Sequence, residues 1–333
     1  MSESPGQPDH PPARPAGERR LVPVGVSACL LGQEVRWDGG HKRYRYLTDV
    51  LSRHLELRPF CPEAEIGLGV PRQPIRLVGG ADGHRVLGVR DRSVDVTEAL
   101  DDYSARALER CRDLRGFVLK RGSPSCAMER AKVYDATSGM PVASSPGRFA
   151  ANLMAALPLL PCEEEGRLND PILRENFLER VFTYDRWHLQ MADGVTPRKL
   201  VEFHTRHKML VLAHSELYYR RLGRMVADAG RGDVDALADR YLAELMAALT
   251  LRATPKRHAN VLQHLAGYLK RAIDGDDRAE LGALVDDYRR GEIPLVVPLT
   301  LLRHHLRRHR DAYVEAQVYL EPHPESLRLR NVI

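Results

Sequence analysis

The chain has 333 residues, 43% hydrophobic and 29% charged, a globular balance that excludes an intrinsically disordered protein; the length suits about two domains. A formal charge of +5 and a pI of about 9.0 permit an anionic partner without requiring one. Five cysteines are too few for a disulfide scaffold, and no run approaches the roughly 18 apolar residues of a membrane span, so a cytoplasmic protein with free or metal-binding thiols is expected.

Residues 1–20 are rich in proline and polar residues, carry no apolar stretch for export, and are read as a disordered tail. From Val22 the pattern becomes strand, loop, helix, repeated. "VPVGVSA" is a short β-branched run that stops at Cys29. "LTDVLSRHLEL" (47–57) has helical spacing and leads into "RPFCPE". "PIRLVGGADGHRVLGV" predicts two strands around an Ala-Asp-Gly turn. "SVDVTEALDDYSARALERCRDL" predicts an amphipathic helix with Thr97 as its N-cap, and "GFVLK" a strand that runs into "RGSPSC". This alternation predicts an α/β domain, a small open sheet with flanking helices, over 21–167. In such sheets ligands collect outside the carboxyl ends of the strands, which is where Cys29, Cys61 and Cys126 all fall.

From 168 to 333 the chain reads as all-helical. "DPILRENFLERVFTYDRWHLQM" opens with Asp170 as a cap and proline in the first turn. Thr196-Pro197 and Gly230 bound one long helix or two joined ones. Three more amphipathic segments and "PLTLLRHHLRRHRDAYVEAQVYL" follow, with no repeat of fixed period.

None of Cys29, Cys61 and Cys126 belongs to a C-x-x-C pair, which argues against a zinc ribbon or a thioredoxin-type motif. Three thiolates from separate loops can hold an iron–sulfur cluster and leave one iron free; buried inert thiols are the alternative. Cys111 lies on the inward stripe of its helix and is expected in the core, and Cys162 is treated as structural.

Taken together, "VSACLLGQEVRWDGGHK", "FCPEAEIGLGVPR" and "KRGSPSC" resemble, in order and spacing, the thiouracil desulfidase family (domain of unknown function 523). "FHTRHKMLVLAHSELYYRRLG", "TPKRHANVLQHLAGYLKR" and "PLTLLRHHLRRH" resemble the domain of unknown function 1722 that is often fused to it. The resemblance covers about residues 22–330. It implies a [4Fe-4S] cluster held by Cys29, Cys61 and Cys126, with the unligated iron taking the sulfur of a thiolated pyrimidine. For two-domain members it further implies 4-thiouridine in tRNA as substrate, the helical domain holding the RNA.

Beside such a cluster Glu63 can serve as general base or proton shuttle, or stand as a plain turn carboxylate. Ser123 can orient a water, hydrogen-bond the base or form a transient adduct; Ser125 is a weaker candidate, and turn chemistry around Pro124 accounts for it. Asp38, before two glycines in "RWDGGHK", binds the pyrimidine edge or closes a turn. His41 and Lys42 can meet a phosphate or belong to a surface loop. In the helical half, His204, His207 and Lys208 share a helix face, Lys256, Arg257 and His258 stand at a helix start, and Arg303, Arg307, Arg308 and Arg310 follow. These are the candidate phosphate contacts, although residues 191–333 hold 23 Lys+Arg against 19 Asp+Glu. With no aromatic RNP-type motif, recognition of folded RNA by shape and phosphates is expected. Two other readings stay open: a desulfidase of free thiouracil or thio-nucleotides, and a non-catalytic RNA-binding protein whose cysteines are structural or bind zinc.

Overall fold

The computed structural model of the protein describes residues 20–80 and 83–331. The segment read as a tail lies outside the described residues, apart from Arg20, which ion-pairs with Asp185. Two residues of the hairpin turn, Ala81 and Asp82, also lie outside them.

Among the described residues the N-terminal half holds eight strands: β1 (Val22–Ser27), β2 (Leu55–Phe60), β3 (Ile75–Gly80), β4 (Gly83–Gly88), β5 (Gly116–Leu119), β6 (Ala131–Tyr134), β7 (Pro141–Ser145) and β8 (Cys162–Glu164). They form two sheets of four. The first, in the order β2-β1-β5-β8, is parallel throughout, with Ser27 opposite Phe60 and Val26 opposite Val118. Every residue of β1 is buried, as a central parallel strand covered on both faces requires. The second sheet, β4-β3-β6-β7, is built around the predicted hairpin. Helices α1 (Pro62–Glu65), α2 (Thr97–Cys111) and α3 (Arg148–Ala156) complete this half.

Two local expectations are corrected here. The helical spacing of 47–57 is realised only as short turns over Tyr46–Arg53; Leu55–Leu57 are strand, because their backbone pairs with β1. Thr97 is the first residue of α2 and not its cap. Its hydroxyl accepts from the Val86 N–H at 2.8 Å and donates to Asp95, pinning the helix start to β4.

The C-terminal half is helical: α4 (Pro171–Gln190), α5 (Pro197–His214), α6 (Glu216–Ala227), α7 (Val234–Thr250), α8 (Pro255–Ala266), α9 (Gly275–Arg290), α10 (Val296–Arg308) and α11 (Ala312–Glu315). The predicted caps form, Asp170 accepting from the Ile172 and Leu173 N–H groups and Thr196 from Lys199 N–H. The segment after Thr196 is two helices, because Ser215 leaves the helical conformation and caps α6. α4 serves both halves. Phe177, Leu178 and Val181 join the core of the first sheet, whereas Trp187 joins the helical core with Phe203 and Tyr241. Leu327 and Leu329 also pack into the sheet's core. Among the described residues no helix is long and apolar enough to cross a membrane.

Candidate active site

β2, β1 and β5 are neighbours and parallel, so their carboxyl ends open on one edge. Cys29 stands two residues beyond β1, Cys61 immediately after β2, and Cys126 in the loop after β5. All three line one cavity of about 360 Å³. Gly147 lets the start of α3 close on the Cys126 loop: a Cβ there would sit 2.7 Å from the Cys126 nitrogen and 2.5 Å from the Ser125 carbonyl carbon. The other two cysteines are elsewhere in the core, Cys111 on α2 and Cys162 on β8.

The donor set can be tested against the groups it might hold. Among the described residues, only Glu175, Glu179 and His323 bring three Cys, His, Asp or Glu ligand atoms within 4.8 Å of one another, and Arg330 already pairs with both carboxylates. The three thiols are more open than that. A single tetrahedral zinc, with Zn–S bonds of about 2.3 Å, needs sulfurs about 3.8 Å apart. The trio therefore suits a polynuclear cluster better than one ion. Burial pushes the Cys29 thiol up to about 11, with Lys120 opposing the shift. It raises Cys61 as well, and it raises Cys126 with help from the neighbouring Glu63 charge. Such thiols stay protonated at neutral pH until a metal displaces the proton.

Glu63 stands in the first turn of α1 and faces the same cavity. Its Oε1 accepts from Ser125 Oγ at 3.0 Å and from Ser123 Oγ at 3.4 Å. Its Oε2 accepts from Arg72, at 2.7 Å from Nη2 and 3.2 Å from Nε. Arg72 is itself fixed, with Nη1 donating to the Val35 and Gly69 carbonyls at 2.9 and 3.0 Å, and its side chain is 5% exposed. Ser123 Oγ also accepts from the Ser125 and Cys126 N–H groups at 3.2 and 3.1 Å, so it shapes the cysteine loop while touching the carboxylate. Ser125, read from sequence as a turn residue, is fully buried and is the closer of the two serines to Glu63.

Asp38 closes a turn, accepting from Gly40 N–H at 3.1 Å and pairing with Arg36; those turn hydrogen bonds hold its carboxyl below the usual range. Its neighbour Trp37 lines the cavity while 40% exposed. Lys42 lines it too, and His41 accepts from Arg43 N–H. Sequence reading missed Arg72, Trp37 and Lys120. Arg72 closes the quoted stretch "FCPEAEIGLGVPR" and Trp37 precedes Asp38, so both stood inside motifs already singled out. Lys120 lines the cavity and pairs with Glu165. Its position as the first residue after β5 was the available signal.

The helical candidates divide. Lys256, Arg307 and Arg308 are exposed. Lys208 Nζ lies 4.6 Å from the centre of the Tyr313 ring. Arg257 donates to the His214 carbonyl at 2.6 Å, Arg303 pairs with Glu325 and the Leu320 carbonyl, and Arg310 pairs with Glu315. His258 is corrected: it is buried, its Nδ1 lies 3.0 Å from the Tyr319 hydroxyl, and burial lowers its pKa to about 4, so it is neutral and closed to a phosphate. His204 and His207 are likewise buried, with pKa values lowered by burial to about 4 and about 3.

Comparison with known proteins agrees with this division of the chain. Residues 24–165 match the family described as 2-thiouracil desulfurase, and residues 208–324 match a protein family of unknown function, DUF1722. The uncharacterized protein YbgA of Escherichia coli (strain K12) is 37% identical over 158 residues, 47% of this chain and 94% of that protein. The uncharacterized protein YbbK of Bacillus subtilis (strain 168) is 32% identical over 108 residues, 30% of this chain and 70% of that protein. A solved structure, the [4Fe-4S]-dependent thiouracil desulfidase TudS, is 31% identical, covers 45% of this chain and 94% of that one, and aligns with a TM-score of 0.35. The chain thus belongs, as an enzyme, to the 2-thiouracil desulfurase family and carries a DUF1722 region behind the family's own.

Proposed function

We propose that this enzyme holds a [4Fe-4S] cluster on Cys29, Cys61 and Cys126 and removes sulfur from 4-thiouridine in tRNA, in the cytoplasm, giving uridine and sulfide. The observation that carries the reading is the meeting of three sequence-distant thiols and Glu63 in one cavity, the thiols too open for a single ion. A cluster with three protein ligands offers one iron as a soft Lewis acid for a thiocarbonyl sulfur.

The chain's own residues account for the rest. The reaction exchanges C=S and water for C=O and hydrogen sulfide, so a proton must leave the water and protons must reach the departing sulfur. Glu63 is the carboxylate placed to take and return that proton. Arg72 fixes its orientation from one side and the two serine hydroxyls from the other. Trp37, half out of the wall, offers a face on which a pyrimidine can stack. A base in folded RNA must leave its own stack to reach this depth. Exposed Lys256, Arg307 and Arg308 supply phosphate contacts on the helical half.

The test is anaerobic incubation of cluster-reconstituted protein with 4-thiouridine-containing tRNA, following the thiobase absorbance, beside the same assay on free 2-thiouracil and a thio-nucleotide. Loss of the tRNA thiobase is expected. Turnover of the small substrates alone would favour the second reading, which the family's description supports, and confine the helical half to structure. Colourless protein loaded with zinc would sink both.

A further inference from the structure

A second cavity, of about 490 Å³, lies between the α/β half and the helices. Its lining includes Met128, two residues beyond Cys126, Met154 of α3, and three arginines: Arg167, Arg180 of α4 and Arg252, just past α7. The three arginines are not equivalent. Arg167 is committed to Glu163, at 2.6 Å. Arg252 is exposed at the rim, and its side chain has no partner among the described residues. Arg180 is half-buried and has no hydrogen bond or ion pair among the described residues. Its Nε is sealed from solvent with nothing to donate to, and the nearest ring, Phe177, is 5.9 Å from the guanidinium carbon. Burial is the main influence on it and opposes its charge.

An arginine does not escape burial by losing its proton, and a half-buried guanidinium whose Nε is sealed with no hydrogen-bonded counter-charge is a costly thing to keep. Glu163 opposes that burial effect through space, but no carboxylate on this cavity forms an ion pair or hydrogen bond with Arg180 among the described residues. Glu163 is taken by Arg167 and by the Glu164 N–H, and Glu129 is exposed. The planar fork of an arginine matches the oxygens of a phosphate better than any other anion donor in the chain. We propose that the Arg180 cavity, which shares the loop after β5 with the cysteine cavity, seats a phosphate of the RNA backbone. The inference rests on the tRNA reading above. It makes the junction of the two halves, and not the helical surface alone, a part of the RNA footprint.

Binding of tRNA to the full-length chain, measured over a range of salt for wild type, Arg180→Gln and Arg180→Lys, tests it. Arg180→Gln is expected to weaken binding about tenfold, the size of one charge-assisted hydrogen bond, and to reduce the slope of log affinity against log salt by about one. Arg180→Lys should keep the slope. Arg252→Gln, at the rim, should weaken binding by a smaller factor and serves if Arg180→Gln does not fold, which its melting temperature in phosphate-free buffer reveals. Unchanged affinity and slope in Arg180→Gln and Arg252→Gln overturn the proposal. If tRNA binding is unchanged while inorganic phosphate raises the melting temperature of wild type and not of Arg180→Gln, the occupant is a free phosphate group and the RNA assignment is overturned. Wild-type protein that binds no tRNA overturns the underlying reading as well, and that result is visible without any variant.

Discussion

Cys29, Cys61 and Cys126 come from three distant stretches and share one cavity, whereas the cations of the helical half that looked equally promising scatter in fate. Some are exposed, some are spent on carbonyls and carboxylates, and His258 is buried. The difference is one of geometry. A residue just past a parallel strand is placed by the backbone ladder, and every strand of the sheet delivers its next residue to the same edge. A residue on a helix is placed by whichever face the neighbours cover, and those neighbours come from anywhere in the chain.

The largest effect expected from this contrast is at a ligand. Cys126→Ala should lose bound iron and fall to background activity. Cys111→Ala, in the core of the same half, should keep both and lose only about 1 kcal/mol of stability. Iron content and turnover measured side by side decide it; iron retained in full by Cys126→Ala would break the assignment. Next comes the carboxylate. Glu63→Gln should keep the iron and lower kcat by about 10²–10⁴-fold. Arg72→Met should lower kcat by about 10²-fold with a smaller change in KM, because it displaces Glu63 and not the substrate. A silent Arg72→Met would mean that Ser123 and Ser125 suffice to hold Glu63.

The helical half should show its character in acid. His204, His207 and His258 are neutral in the folded protein down to about 4, 3 and 4, whereas an unfolded histidine takes a proton near its ordinary value. Their folded pKa values are depressed, so the unfolded state binds more protons and stability falls as pH drops below about 6.5, by up to about 1.4 kcal/mol per pH unit for each histidine. A melting temperature that holds steady from pH 7 to pH 5 would contradict the buried, neutral assignment. The smallest effects concern single surface cations. Arg307→Ala and Arg308→Ala should each cut the salt slope of tRNA binding by about one without changing the melting temperature. Arg303→Ala should do the reverse, since its guanidinium holds the Leu320 carbonyl and Glu325.

How far the sequence could be read follows the same division. The cysteine motifs, the hairpin, the caps at Asp170 and Thr196 and the all-helical second half were legible because each depends on local chemistry. β6, β7 and β8 escaped because they are short: β8 pairs only with the remote β5, and β7, though it pairs with neighbouring β6, is almost wholly exposed and carries no apolar alternation. Arg72 escaped for a different reason. Nothing about an arginine after a proline announces that its side chain turns inward to a carboxylate nine residues earlier. The burial of His258 was hidden too, since a histidine at a helix start looks the same whether Tyr319 covers it or solvent does.

α4 has the last consequence. Phe177, Leu178 and Val181 on it complete the core beneath the cysteine-bearing sheet, Trp187 near its end completes the helical core, and Leu327 and Leu329 return from the far end of the chain to the sheet. The catalytic half therefore borrows part of its interior from residues beyond 168. Severing the chain at that point would not release a self-sufficient enzyme: it would leave a sheet with one flank open to water, and calorimetry of the intact protein should register a single heat-absorption peak for both halves.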